Sequence, residues 1–226
     1  MELLPIGRVC SLTELLYRIH VEEFKQHVQR LDDSTLWVSA LVMCPRKWVF
    51  MRLYPEIAFS FRGYLALGRA VHVGIQETVR LYAKSLGWRR VEVEKEVEKC
   101  INVDLGSLPR IVRLRGKIDI LAIDEEGNRI VVEIKSSRSD LNIPCEHHIQ
   151  QLRIYMNLAR ANRGILLYLT PDRVAEYVYT EPISDEELQK LVASFLRMEG
   201  PRYPWECQHC NYAHLCPAKS VNVNRR

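Results

Sequence analysis

Apolar and polar residues alternate most clearly in two neighbouring stretches, Ile-Val-Arg-Leu-Arg-Gly-Lys-Ile-Asp-Ile-Leu-Ala-Ile at 111–123 and Arg-Ile-Val-Val-Glu-Ile at 129–134. Both are rich in β-branched residues and read as strands. Asp124-Glu125-Glu126-Gly127-Asn128 between them is turn chemistry, and a three-residue loop of Glu125, Glu126 and Gly127 suits a type I turn followed by a left-handed glycine. Helical periodicity predicts helices over 11–30, 36–43 and 65–86, then over 146–162 and 184–198. Further strands are expected at 91–100, 164–170 and 174–180. This order implies an α/β fold, with helices segregated around a mixed sheet.

The hairpin carries the candidate chemistry. Counting back from the turn, Asp119 stands opposite Glu133 and Lys117 opposite Lys135 on one face, while Ile118, Ile120, Val132 and Ile134 take the other. Two carboxylates in direct opposition repel unless a cation sits between them, and a divalent metal is the obvious candidate. The competing reading is a solvated sheet face with ordinary Lys–carboxylate pairs. A four-residue loop would place the two acids on opposite faces, so the pairing depends on the turn.

Composition narrows the field. The 226 residues, 47% of them apolar, suffice for one substantial core with a small appendage. No apolar run nears the roughly 18 residues of a membrane span, and the first residues lack a secretory pattern. A cytoplasmic protein without a membrane partner is expected. Net charge is only +4, but Arg46, Lys47, Arg52, Arg62, Arg69, Arg80, Lys84, Arg89 and Arg90 are opposed in their stretch only by Glu56 and Glu77. Aromatics are interleaved with this block (Trp48, Phe50, Tyr54, Phe59, Phe61, Tyr64, Tyr82, Trp88), a mixture that attracts phosphates and stacks bases. Most large rings are nonetheless core residues. Arg46, Lys47, Arg69 and Arg80 are the candidate DNA contacts.

On the 65–86 helix, Gly68, His72, Ile75, Val79 and Leu86 share a side, and Arg69, Gln76, Arg80 and Lys84 follow a neighbouring stripe. His72 sits where the two meet, either a structural histidine or a ligand beside the two carboxylates, with Gly68 leaving room next to it. Cys207-x-x-Cys210 and Cys216-Pro217 cluster near the C-terminus, and Cys44-Pro45 lies far upstream. In a cytosolic chain this clustering argues for metal rather than disulfides. One distant cysteine with a tight trio fits a [4Fe-4S] cluster on Cys44, Cys207, Cys210 and Cys216 better than zinc, which stays the alternative. Such a cluster would staple the N-terminal region to the tail. The expected organisation is an N-terminal helical region over 1–64, a nuclease core over 65–200 and a cluster segment over 201–226.

Gly68-x-x-x-His72, Gly116-x-x-Asp119, Glu133-Ile-Lys135 and Gln151-x-x-x-Tyr155 resemble, in order and spacing, the motifs of RecB-type nucleases of the PD-(D/E)XK superfamily. With Cys44-Pro-Arg-Lys47 and the C-terminal cysteines, the chain is similar to the CRISPR-associated iron–sulfur exonucleases, the Cas-four family. The likeness spans about 39–217. Ile118-Asp119 replaces the superfamily's Pro-Asp. The resemblance implies a restriction-endonuclease-like sheet and a metal-dependent exonuclease trimming single-stranded DNA, 5′ to 3′, for a CRISPR integrase complex. It implies Mg²⁺ or Mn²⁺ on Asp119, Glu133, His72 and the Ile134 carbonyl, Lys135 acting on water or developing charge, and Gln151 and Tyr155 supporting Lys135 or positioning the strand. For Gln151 and Tyr155 a surface glutamine and a packing tyrosine remain the alternative. Two rival functions stay open, a nuclease subunit of a DNA-repair complex and a non-catalytic iron–sulfur nucleic-acid-binding module, as does assembly into a homo-oligomer.

Overall fold

The computed structural model describes residues 6–29, 35–106 and 109–220. The elements run α1 (Leu12–Gln29), β1 (Thr35–Trp37), α2 (Val38–Leu41), α3 (Pro45–Leu53), α4 (Pro55–Ala58) and α5 (Gly63–Tyr82), the last extended by a 3-10 turn over Ala83–Leu86. There follow β2 (Trp88–Asp104), β3 (Pro109–Asp124), β4 (Arg129–Ser136), α6 (Glu146–Ala159), β5 (Arg163–Leu169), β6 (Val174–Tyr179) and α7 (Asp185–Leu196). The expected strands are all present, and β2 starts earlier and ends later than its periodicity predicts. The helix expected over 36–43 is instead a short strand and a single helical turn, because Thr35, Leu36 and Trp37 run parallel to Arg113–Arg115 of β3. α3 and α4 were not foreseen: Cys44-Pro-Arg-Lys-Trp-Val-Phe-Met-Arg has no one-sided apolar stripe, and the prolines that open both helices are the sequence signal for them.

The six strands form one mixed sheet, in the order β1-β3-β4-β5-β6 with β2 on β3. β3 is antiparallel to β2 and β4, and β5 lies parallel to β4 across the α6 crossover. One face is covered by α2, α6 and α7 through Val38, Leu41, Leu152, Met156, Val192 and Phe195. The other is covered by α5 through Val71, Ile75 and Val79. α7 begins with a capping box: Ser184 accepts from Glu187 N at 3.1 Å, and Glu187 accepts from Ser184 N at 2.9 Å.

The hairpin turn is the expected three-residue loop. Asp124 N donates to Asn128 O at 3.1 Å, Gly127 has φ +91°, and the Asp124 carboxylate holds Asn128 N and Nδ2 at 2.7 and 2.9 Å. β3 and β4 then pair from Ile123↔Arg129 to Ile120↔Val132 and no further. Neither the expected direct opposition of Asp119 and Glu133 nor that of Lys117 and Lys135 belongs to the ladder, because β4 leaves β3 to follow β5; Lys117 pairs with Glu94 at 3.1 Å instead.

The expected face of Ile118 also changes. In β3, Val112, Leu114 and Ile118 feed the α6–α7 core, yet Ile120 and Ala122, in the same alternation, feed the α5 core, and Leu121 joins the first. The change falls at Asp119. Opposite it the β2–β3 ladder pairs Lys95↔Ile118 and Val93↔Ile120, and Glu94 between them has φ +50°. A non-glycine residue held there costs on the order of 1–3 kcal/mol and persists only where its surroundings impose it.

Gly116 shows how closely α6 approaches this kink. A Cβ there would run into Tyr155 Cε1 and stand 2.9 Å from Val38 Cγ2. Gly116→Ala is therefore expected to destabilise the protein by about 1–3 kcal/mol through overpacking, measured as a lower urea midpoint with an unchanged slope.

Candidate active site

Asp119, at the kink, turns its carboxylate to β4, where Oδ2 accepts from Ile134 N at 2.7 Å. A side chain thus replaces the backbone rung lost where the strands part. Asp119 Oδ1 lies 3.4 Å from His72 Nδ1 on α5. One turn further along α5, buried Gln76 donates from Nε2 to Asp119 O at 3.2 Å. Sequence reasoning placed Gln76 on the basic stripe; its i+4 relation to His72 was the available signal.

Glu133 is 3% exposed. Its Oε1 accepts from Lys135 Nζ at 2.7 Å, while its buried Oε2 has no hydrogen-bond partner. Burial pushes the carboxyl up to about 7, with the Asp119 charge adding to the rise and the Lys135 ammonium and His72 opposing it. His72 is raised from its ordinary range: burial lowers it, but the hydrogen bond and charge of Asp119 outweigh that.

Lys135 also donates to Gln151 Oε1 at 3.0 Å, and Gln151 Nε2 lies 3.5 Å from Tyr155 OH. The Tyr155 phenol is held protonated by burial and by the charge of Glu133. Gln151 and Tyr155 are both buried on α6, so neither is a surface residue. The structure therefore brings His72, Asp119, Glu133, Lys135, Gln151 and Tyr155 to one place, built from α5, the parting strands and α6.

Among the described residues no three His, Cys, Asp or Glu side chains stand at metal-holding distances. In this arrangement the candidate ligand atoms are engaged with His72 and Lys135. The chemistry nevertheless fits a hard divalent cation: two carboxylates, an imidazole, and an orphaned buried oxygen on Glu133 that lacks a positive partner of its own.

Cys44, Cys207, Cys210 and Cys216 all line one cavity of about 110 Å³. All four are free thiols, and burial raises the Cys44 thiol. The segments that carry them are tied by a buried carboxylate missed in the sequence: Glu206 accepts from Cys44 N and Arg202 N at 2.6 Å each and from Tyr203 N at 3.1 Å. Arg202 Nε donates to Met43 O at 3.1 Å, and Arg46 donates to Gly200 O. The protein's own hydrogen bonds thus join the N-terminal region to the tail, and four thiols are the donor set of a four-thiolate group, but among the described residues no three of them stand at metal-holding distances.

The candidate DNA contacts are dispersed. Arg46 serves Gly200, Lys47 lines the cysteine cavity, Arg69 pairs with Glu23 of α1 at 3.0 Å, and Arg80 lies 3.9 Å from Glu77. Most of the interleaved rings pack internally: Phe59 and Phe61 against Tyr17 and His20, Trp48 against Phe195, and Phe50 against Tyr212.

The chain matches the PD-(D/E)XK nuclease superfamily over residues 22–217. It is 34% identical over 211 residues to the CRISPR-associated exonuclease Cas4 of Saccharolobus solfataricus, covering 92% of this chain and 98% of that protein. The crystal structure of SSO0001 superposes with a TM-score of 0.81 at 32% identity, over 94% of this chain and 99% of the other.

Two outcomes test the site's electrostatics and its tie. The folded-state value of Glu133 lies above its ordinary 4.5, so its ionisation opposes folding, fully above about pH 7 and not at all below about pH 4.5. In EDTA the wild type should lose stability relative to Glu133→Gln as pH rises from 5 to 8, measured by denaturant midpoints. Glu206→Ala leaves three backbone N–H groups without their acceptor and is expected to cost about 3 kcal/mol, read in the same experiment at pH 7.

Proposed function

The chain belongs to the PD-(D/E)XK nuclease superfamily and to the family of the CRISPR-associated exonuclease Cas4, and from that membership we propose that it is a metal-dependent exonuclease of single-stranded DNA. It hydrolyses phosphodiester bonds from the end of the strand, 5′ to 3′, in the cytoplasm, preparing fragments for insertion as CRISPR spacers. The observation that carries the reading is Lys135, held between Glu133 Oε1 and Gln151 Oε1 beside the unpartnered Glu133 Oε2.

Asp119, Glu133, His72 and the Ile134 carbonyl would hold Mg²⁺ or Mn²⁺, which would supply polarisation of the scissile phosphate and acidification of a water. Two of the three Lys135 donors are spent on Glu133 and Gln151. The third addresses the attacking water or the phosphate oxygen on which charge develops. Tyr155 keeps Gln151 turned so that its carbonyl, not its amide nitrogen, meets the ammonium. Asp119, fixed by Ile134 N–H, cannot swing away from the phosphate. Cys44, Cys207, Cys210 and Cys216 would hold a [4Fe-4S] cluster, which would add to the hydrogen bonds already joining the N-terminal region to the tail.

Cleavage of a 5′-labelled and a 3′-labelled single strand with Mn²⁺ tests the catalytic assignment. Lys135→Ala and Asp119→Ala are expected to lose at least a hundredfold in rate; activity equal to wild type in both would defeat it. The purified protein should show broad visible absorbance that is lost in Cys207→Ser, whereas a colourless, zinc-loaded protein would move the four cysteines to zinc.

A further inference from the structure

Beyond the carboxylates and the cysteines, one aromatic group joins the two sites. Trp205 is exposed at 36% and stacks on buried Tyr203, with ring centres 5.7 Å apart and planes 10° from parallel. His147 packs against both, 5.1 Å from Trp205 and 5.7 Å from Tyr203. Tyr203 OH donates to Gln150 Oε1 at 3.4 Å, which fixes the stack to α6. His147 lies on the first turn of α6, four residues and so about 6 Å of helix rise before Gln151, the residue that holds Lys135.

This arrangement is more than a packed corner. Tyr203 is buried behind the indole, and His147 and His209 (6.4 Å) also meet it, leaving about a third of the tryptophan exposed. Charges of both signs lie near it: Glu146 and buried Glu206 act on Tyr203, and two lysines lie on the His147 side. Lys47 lines the cavity that Trp205 also lines, and the charges of Lys135 and Lys47 both reach His147. Burial and those two lysines push His147 down to about 4, so near neutrality it is an uncharged ring that stacks rather than a phosphate ligand. An exposed indole backed by a second ring and flanked by lysines is how proteins hold an unpaired base while its phosphate is neutralised.

We propose that Trp205, backed by Tyr203 and His147, is the stacking platform for a base of the single strand next to the phosphate at Lys135. The proposal rests on the single-strand nuclease reading above. It assigns to the tail segment that carries the cysteines a direct part in holding substrate.

The test is binding of a fluorescent oligothymidylate in EDTA by intact wild type, Trp205→Ala and Trp205→Phe, followed by anisotropy. A series of oligonucleotides, each with one abasic nucleotide at a different position, is titrated in parallel. Trp205→Ala is expected to bind about five- to a hundredfold more weakly, with visible absorbance and thermal midpoint as in wild type, and Trp205→Phe within about threefold of wild type. One abasic position should weaken the wild type by the same factor and leave Trp205→Ala unaffected. Wild-type affinity in Trp205→Ala, or a wild type indifferent to every abasic position, would overturn the platform while leaving the nuclease reading intact. The abasic series in wild type decides the matter even if Trp205→Ala folds poorly. A wild type that neither binds nor, with Mn²⁺, cuts single strands removes the nuclease reading and the platform together.

Discussion

A carboxylate buried among isoleucines and valines is among the most costly side chains a sheet can hold, and here the sheet is interrupted to hold one. Glu133 lies on β4 between Val132 and Ile134, both buried. Had β3 and β4 stayed paired, the Ile134 N–H would belong to an ordinary rung. The strands part after Ile120↔Val132, and that N–H goes to Asp119 Oδ2 instead. Lys135, two residues on along the same face of β4, meets Glu133 from the α6 side, and His72 meets Asp119 from α5. Glu94, in its left-handed conformation across from Asp119, is the local cost of bending β3 at this point. The Asp119–Ile134 bond is what the divergence of these two strands makes possible.

Much of this was legible in the chain, and the misreadings share a cause. The three-residue turn could be read because Gly127 follows two acidic residues at the right spacing, and with it came the juxtaposition of Asp119 and Glu133. Alternation then predicted a common face for Ile118 and Ile120, which they do not share, because period two assumes an unkinked strand and nothing in Val93-Glu94-Lys95 marks Glu94 as the kink. Strand β1 was hidden inside a helical pattern, since Thr35–Trp37 is too short to show periodicity and is made a strand only by its partner on β3. Glu206 could not be found at all: one acid beside a cysteine has no pattern, and its role comes from three N–H groups contributed by segments far apart in the chain. His147 and Trp205 escaped for the same reason, since their adjacency is purely tertiary. Local chemistry survives in a sequence; convergence of distant segments does not.

The cysteines lie between these two cases. Their spacing marked them as a group, and the fold gathers all four around one cavity. What assembles the cavity is ordinary protein chemistry, namely the Glu206 carboxylate and the Arg202 and Arg46 guanidiniums reaching backbone groups across the seam. The tail is therefore also anchored by contacts independent of any bound group.

Those contacts close a very long loop. Cys44 and Glu206 are 162 positions apart, with α5, every strand from β2 to β6 and α6 between them. Contacts of such separation repay their chain entropy only after the intervening core has formed. During synthesis Cys44 emerges long before its carboxylate partner exists, so a nascent or C-terminally truncated chain can form the parted strands and their carboxylates but not the seam. The cavity of the four thiols thus exists only on chains synthesised past Cys216 and folded throughout.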